Sequence, residues 1–226
     1  GGLPCEMASL NKLIKKKNIT IYEDAAHAFG ARYDLKTKVG SCKYSDMTVF
    51  SFHPVKSIAM GEGGCVTTNN KKIYEKAKHL AATAKVNSKW DYIHDEIGYN
   101  YRLPSLNASL GCAQLKKIKK LLFNKRKLFY KYKSSFSKLK FLKILKEQPN
   151  NKSNYWLQTL ILNKKYEYLL NPILEKCHNK NIFLRPSWKP LHQLKYFKKY
   201  PKMNLVNTNS LFKRIINLPS SSFLVK

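Results

Sequence analysis

The stretch Met47-Thr48-Val49-Phe50-Ser51-Phe52-His53-Pro54-Val55-Lys56, followed by Gly61-Glu62-Gly63-Gly64-Cys65-Val66-Thr67-Thr68, decides the fold of this chain. Residues 47–52 are β-branched and aromatic, as a buried strand requires, and Pro54 cannot extend a central one. Residues 65–68 read as a short return strand. Lys56 is therefore delivered from a strand end onto a glycine-rich turn, where backbone can approach a ligand closely. That placement suits covalent or phosphate chemistry. A lysine alone is most often a solvated surface group, so the reading of Lys56 depends on its company.

Upstream, Asn18-Ile19-Thr20-Ile21-Tyr22 reads as a second buried strand, closed by Glu23-Asp24-Ala25-Ala26-His27-Ala28-Phe29-Gly30. Ligands of open α/β sheets bind beyond the carboxyl ends of the strands, which puts Asp24 and His27 at a ligand edge if this strand is parallel and central. The plainer alternative is that Asp24 caps a turn and His27 is a satisfied, partly buried histidine. Downstream, Gly98-Tyr99-Asn100-Tyr101-Arg102-Leu103-Pro104 precedes a helical segment at residues 107–115 that is rich in small residues.

In this order the pieces resemble one family closely, the DegT- or StrS-type nucleotide-sugar aminotransferases. Those are pyridoxal-phosphate enzymes of the type I aminotransferase fold. The resemblance covers nearly the whole chain, from Gly2-Leu3-Pro4-Cys5-Glu6-Met7 through the blocks above to Arg185-Pro186-Ser187-Trp188-Lys189-Pro190-Leu191-His192 and Asn217-Leu218-Pro219-Ser220. Within the family, His94-Asp95-Glu96-Ile97-Gly98-Tyr99-Asn100 and Ser153-Asn154-Tyr155-Trp156-Leu157 look most like enzymes making precursors of nonulosonic acids. Phe52-His53-Pro54-Val55 looks more like the pseudaminic-type branch, which leaves the subgroup open.

The resemblance implies an α/β fold: the C-terminal part of a type I aminotransferase large domain, over residues 1–115, and a smaller α+β domain with its linking helix, over 116–226. It implies pyridoxal 5'-phosphate as cofactor and an amino acid, glutamate by analogy, as donor. The acceptor would be a nucleotide-linked keto-sugar for surface glycan synthesis, and the enzyme a cytoplasmic homodimer. Lys56 would be the catalytic lysine that forms a Schiff base with the cofactor and shuttles protons at the substrate carbon. A lysine of lowered pKa can do both, whereas arginine stays protonated. Asp24 would hold the cofactor ring nitrogen protonated and so strengthen the electron sink. His27 would lie against the ring face, Ser51 would bond the phosphate, and Asn100 would reach the phosphate of the neighbouring subunit. His53 and His192 receive no catalytic role.

The resemblance also implies an upstream segment, carrying a helix N-terminus that grips the phosphate, which the 226 residues do not contain. The expectation is therefore an N-terminally truncated chain, poorly folded and inactive alone, its apolar strands lacking sheet neighbours.

Composition offers a rival reading. The formal charge is +30, but 38 of the 43 basic residues are lysine and five are arginine, whereas base and phosphate readers favour arginine forks. Residues 111–226 hold 27 basic and 3 acidic residues, and runs such as Lys116-Lys117-Ile118-Lys119-Lys120 keep apolar positions at helical spacing. They read as the solvated face of an amphipathic helix. A non-catalytic basic binding protein for nucleic acid or an anionic ligand, on the same fold, is the alternative function. The five cysteines form no C-x-x-C and the six histidines no H-x-x-x-H, which disfavours a metal site or disulfide framework. No apolar run reaches membrane-spanning length. Helices are predicted at 7–17, 71–84, 116–140 and 172–179, and further strands at 155–162 and 182–185, with a turn-rich loop at 147–154.

Overall fold

In chain order the elements are α1 (Met7–Ile14), β1 (Tyr22–Asp24), β2 (Met47–Ser51), β3 (Gly64–Thr67), α2 (Lys71–Ala81), α3 (Ser105–Ser135), β4 (Leu142–Ile144), β5 (Gln158–Leu162), α4 (Leu170–His178), β6 (Arg185–Pro186), α5 (Val206–Phe212) and β7 (Ile215–Leu218). The structure is a computed structural model and describes residues 1–14 and 17–225. The predicted helix 7–17 therefore runs partly onto residues outside the described ones. Two compact units emerge, one of Gly2–Leu121 with Gln148–Asn154, the other of Gly1, Leu122–Glu147 and the chain from Tyr155 onward. The division falls inside α3.

The first unit holds a three-stranded sheet in the order β1-β2-β3. β1 and β2 are parallel, with Tyr22 opposite Met47 and Asp24 opposite Val49. β2 and β3 are antiparallel, with Ser51 opposite Gly64. The first strand is thus shorter and later than the predicted 18–22. The β1–β2 ladder starts with Tyr22 opposite Met47, and Ile21 just ahead of it is bonded to Asp46 and Met47 outside the ladder register. The chain enters the sheet through Asp46 and Met47 N–H groups donated to the Ile21 carbonyl, at 3.0 and 3.4 Å.

β2 alternates. Thr48 and Phe50 are buried on one face, and Val49, apolar as expected on the other, is exposed. Beneath the buried face lie Ala25, Ala28, Ala31, Val39, Phe52, Ile58 and Met60. Phe29 meets Phe50 and Phe52 edge-on at 5.2 and 5.5 Å, the favourable geometry for ring quadrupoles.

α2 is capped by Asn70, whose side chain accepts from the Lys72 and Ile73 amides. It stops at Ala81, short of the predicted 84, because Thr83 and Ala84 turn left-handed (φ 66° and 51°) and the Thr83 amide bonds Tyr99 O at 2.9 Å. The predicted helices at 107–115 and 116–140 are one helix, α3. Nothing between them breaks it, and Gly111 in its interior is packed against Met60.

The second unit holds an antiparallel sheet in the order β4-β5-β7-β6, an α+β arrangement. β5 is buried along its whole length, and its start at Gln158 rather than 155 follows from the positive φ of Tyr155 (48°). Lys125 is buried in this unit. Its Nζ donates to Ser220 O at 2.8 Å and Trp156 O at 3.2 Å, and burial pushes its pKa down to about 8. No helix among the described residues is long and apolar enough to cross a membrane.

Ile216, 1 % exposed on β7, is packed in the core with Leu160, Leu162, Leu184 and Leu218. Ile216→Ala is expected to cost about 2–5 kcal/mol, from lost burial and the cavity left behind. Urea unfolding followed by tryptophan fluorescence, with Trp156 as the buried reporter in the same unit, checks it.

Candidate functional site

Parallel pairing brings the carboxyl ends of β1 and β2 to the same edge of the first sheet, and the loops that leave them carry the polar side chains. The alternation of β1 sorts its two acids. Glu23 turns inward, buried, and accepts from the Tyr33 hydroxyl and from Thr48 Oγ1. Burial, then the neighbouring carboxylate, pushes the Tyr33 phenol far above its usual range, so it stays a donor to Glu23. Asp24 turns outward and exposed at the strand end, its Oδ1 accepting from the Ala26 amide at 3.0 Å. The ladder closes just beyond it with Ala25 N–H to Val49 O at 2.9 Å.

Ser51 ends β2, and the loop of residues 52–63 carries Lys56. That loop is tethered rather than free. Phe52 donates to Gly63 O and Met60 donates to Phe52 O, at 2.8 and 2.9 Å, while Ile58 is buried beneath. The Lys56 amide bonds His53 O at 2.9 Å, and the Ser51 hydroxyl accepts from the His53 amide at 3.4 Å. Gly64 must be glycine for the hairpin to close, since a Cβ there would come within 2.5 Å of the Phe50 carbonyl oxygen. His53 pairs with Glu62 at 3.5 Å on the exposed rim of the loop.

Charge ties the strand ends together. Burial lowers the pKa of the Lys56 amine, and Asp24 acts in the opposite direction. Burial and then the Lys56 charge lower the His27 pKa, again opposed by Asp24. Asp24, His27 and Lys56 thus form one electrostatic group, with Ser51 at the neighbouring strand end. An amine of weakened basicity beside a carboxylate can hold a covalent carbonyl group and move protons.

Asn100 lines a cavity of the same unit that Phe50 of β2 and Glu62 and Gly63 of the Lys56 loop also line. The Asn100 backbone bridges to Ala82, and the cavity, of about 920 Å³, is lined further by Val66, Tyr74, Tyr99, Tyr101 and Arg102. His192, in the other unit, has its Nε2 3.0 Å from Asn209 Oδ1.

Two features escaped the sequence reading. His79, Asp95 and Glu96 converge within 4.8 Å, with His79 Nε2 2.6 Å from Asp95 Oδ1. Lys76 Nζ already sits 2.5 Å from both Glu96 oxygens, so a cation there is supplied by the chain itself. The second is the place of Asn154, buried against the turn that carries His27. No spacing pattern reveals it, because its partners lie about a hundred residues away in sequence.

A family model described as the DegT/DnrJ/EryC1/StrS aminotransferase family matches residues 1–226. The chain belongs to this family. Over 221 residues it is 34% identical to the UDP-4-amino-4,6-dideoxy-N-acetyl-beta-L-altrosamine transaminase of Campylobacter jejuni subsp. jejuni serotype O:23/36, covering 97% of this chain and 58% of the relative. It is also 34% identical over 222 residues to the GDP-perosamine synthase of Escherichia coli O157:H7, covering 97% of this chain and 58% of that one. The solved structure of Helicobacter pylori PseC, an aminotransferase involved in the biosynthesis of pseudoaminic acid, superposes with a TM-score of 0.90 at 28% identity, over 98% of this chain and 59% of PseC. As a DegT/StrS-type chain it has the α/β type I aminotransferase fold, and it spans about 58% of the length of the curated relatives it matches.

The charge coupling has a direct test. Asp24 raises the Lys56 pKa, so Asp24→Asn should lower it and make Lys56 acylate faster at pH 8. Mass-spectrometric labelling normalised to the exposed Lys72 measures this.

Proposed function

We propose that the protein binds pyridoxal 5'-phosphate through Lys56 and transfers an amino group from an amino acid, glutamate by family analogy, to a nucleotide-linked keto-sugar. The product would feed surface glycan synthesis in the cytoplasm. The observation that carries this reading is a partly buried lysine of lowered basicity on a tethered loop at a strand edge, electrostatically coupled to an exposed aspartate and a histidine. Named relatives agree in kind: the EpsN protein of Bacillus subtilis is named a putative pyridoxal phosphate-dependent aminotransferase, and others are UDP-sugar transaminases.

The residues present fit the cofactor. Lys56 offers an amine that desolvation biases toward its neutral form, Asp24 an exposed carboxylate for a ring N–H, and Ser51 a hydroxyl for a phosphate oxygen. When bound, pyridoxal phosphate supplies the electron sink that makes the substrate C–H acidic. Lys56 would hold the cofactor covalently at rest and, once displaced by substrate, remove and return the proton at the reacting carbon. The Asp24 carboxylate would keep a proton on the ring nitrogen, since opposite charges at contact favour both ionised forms. His27, whose basicity is lowered by burial and by Lys56, would present a neutral flat ring to the cofactor face. Asn100, on a cavity also lined by Glu62 and Gly63 of the Lys56 loop, would serve the phosphate of a neighbouring subunit in a homodimer. On this reading the unit of Gly2–Leu121 and Gln148–Asn154 is the remainder of a cofactor domain, foreseen at 1–115, and the other unit is the small domain, foreseen at 116–226.

Borohydride reduction in the presence of pyridoxal phosphate is the test, because the adduct reports the lysine without requiring turnover. A pyridoxyl mass is expected on the peptide carrying Lys56, absent in Lys56→Ala and retained in Lys189→Ala. Wild-type yield of adduct from Lys56→Ala would refute the assignment.

A further inference from the structure

Residues 148–154 come back to the first unit from a distant point in the chain, and their last three residues are fixed there. Arg32 and Lys152 exchange backbone hydrogen bonds, 2.9 and 3.0 Å, in an isolated antiparallel bridge. One residue on, Ser153 Oγ donates to Gly2 O at 3.0 Å, and Ser153 is itself buried. This registers Asn154, 2 % exposed, against the turn between Asp24 and Gly30.

The side-chain amide of Asn154 has two protons, and the turn offers it two carbonyls. Nδ2 donates to His27 O and to Phe29 O, each at 2.9 Å, and shares one of these protons with Ser57 Oγ in a longer contact of 3.4 Å. The first two acceptors flank the residue after His27, and the third is next to Lys56. One buried amide therefore joins the turn bearing the imidazole to the loop bearing the amine. Buried carbonyls that lose such a donor keep their full desolvation cost, which drives the turn to rearrange.

We propose that Asn154 is a positioning residue for Lys56: by tying the His27 turn to the Lys56 loop through Ser57, it holds the amine at a fixed place on the sheet edge beside His27 and Asp24. The function of that amine rests on the cofactor reading given above, but the tie does not, since every bond in it is made without cofactor. Among the groups facing Lys56 are Asp24 at the end of β1 and His27 in the turn that follows, while on its own loop His53 lies 3.5 Å from Glu62. Loosening the tie lets the loop move outward and the amine regain water, so its desolvation falls and its basicity rises.

Three variants test this. Asn154→Asp keeps the size but places acceptors against two carbonyls, Asn154→Leu keeps the size with no donor, and Ser57→Ala removes only the link to the Lys56 loop. The measurement is the pH profile of Lys56 acetylation in the cofactor-free chain, by mass spectrometry, with Lys72 as reference and thermal melting as the control for folding. A merely structural asparagine would lower the melting temperature and leave the profile where it was. The expected result is an upward shift of about half a pH unit, hence about threefold less Lys56 labelling at pH 8, in whichever Asn154 variant melts cooperatively. Should neither fold, Ser57→Ala decides, with a shift in the same direction. An unchanged or downward-shifted Lys56 profile in the deciding variant overturns the proposal. Absence of a pyridoxyl adduct on wild-type Lys56, with the profile shifted as expected, would overturn the cofactor reading and leave the tie standing.

Discussion

The backbone ladder along β2 is the constraint on which the first unit depends. That strand is hydrogen-bonded on both edges, parallel to β1 and antiparallel to β3, so neither its register nor its direction can slip without breaking both ladders. Because β1 runs parallel to it, Asp24 and Ser51 emerge at the same end. Because β3 returns antiparallel, the intervening loop must fold over that end and bring Lys56 with it. Phe50 and Phe52 then lock the strand to the core through Phe29. A single strand therefore decides which polar side chains share an edge.

Burial does the rest of the chemistry. The same alternation that hides Glu23 under the Tyr33 hydroxyl exposes Asp24, one residue on, so two adjacent acids play opposite parts. Lys56 and Lys125 make a similar contrast. Both amines have weakened basicity through desolvation, but Lys125 is enclosed and spends its protons on two main-chain carbonyls, whereas Lys56 sits at an edge beside a carboxylate. Weakened basicity alone does not mark a site; an accessible position beside a partner charge does.

Much of this was legible in the residues themselves. The strand read at 47–52 and its return at 65–68, found within a residue of those bounds, and the α+β character of the second unit follow from local composition and turn chemistry. The first strand was misplaced because the apolar run Ile19-Thr20-Ile21 satisfies a propensity rule, while the ladder starts with Tyr22 opposite Met47. The helix α3 was divided in two because its small-residue half and its lysine-rich half differ in composition, although nothing between them interrupts the hydrogen bonding. The order of Asp24, His27, Ser51 and Lys56 pointed to one edge; Asn154 stood out only within the block 153–157, and its place against the His27 turn did not, because a donor to main-chain carbonyls leaves no pattern in sequence.

The return of residues 148–154 bears on how the chain is made. The His27 turn is synthesised early, yet the asparagine that satisfies its carbonyls lies 127 residues later. A ribosome must therefore complete residues 122–147, which belong to the other unit, before the first can close. Contacts of such long sequence separation form late and slowly, and until then the turn's carbonyls are served by water. The nascent sheet edge is a client for chaperones throughout that interval, and translational pausing between residues 121 and 154 would lengthen its exposure.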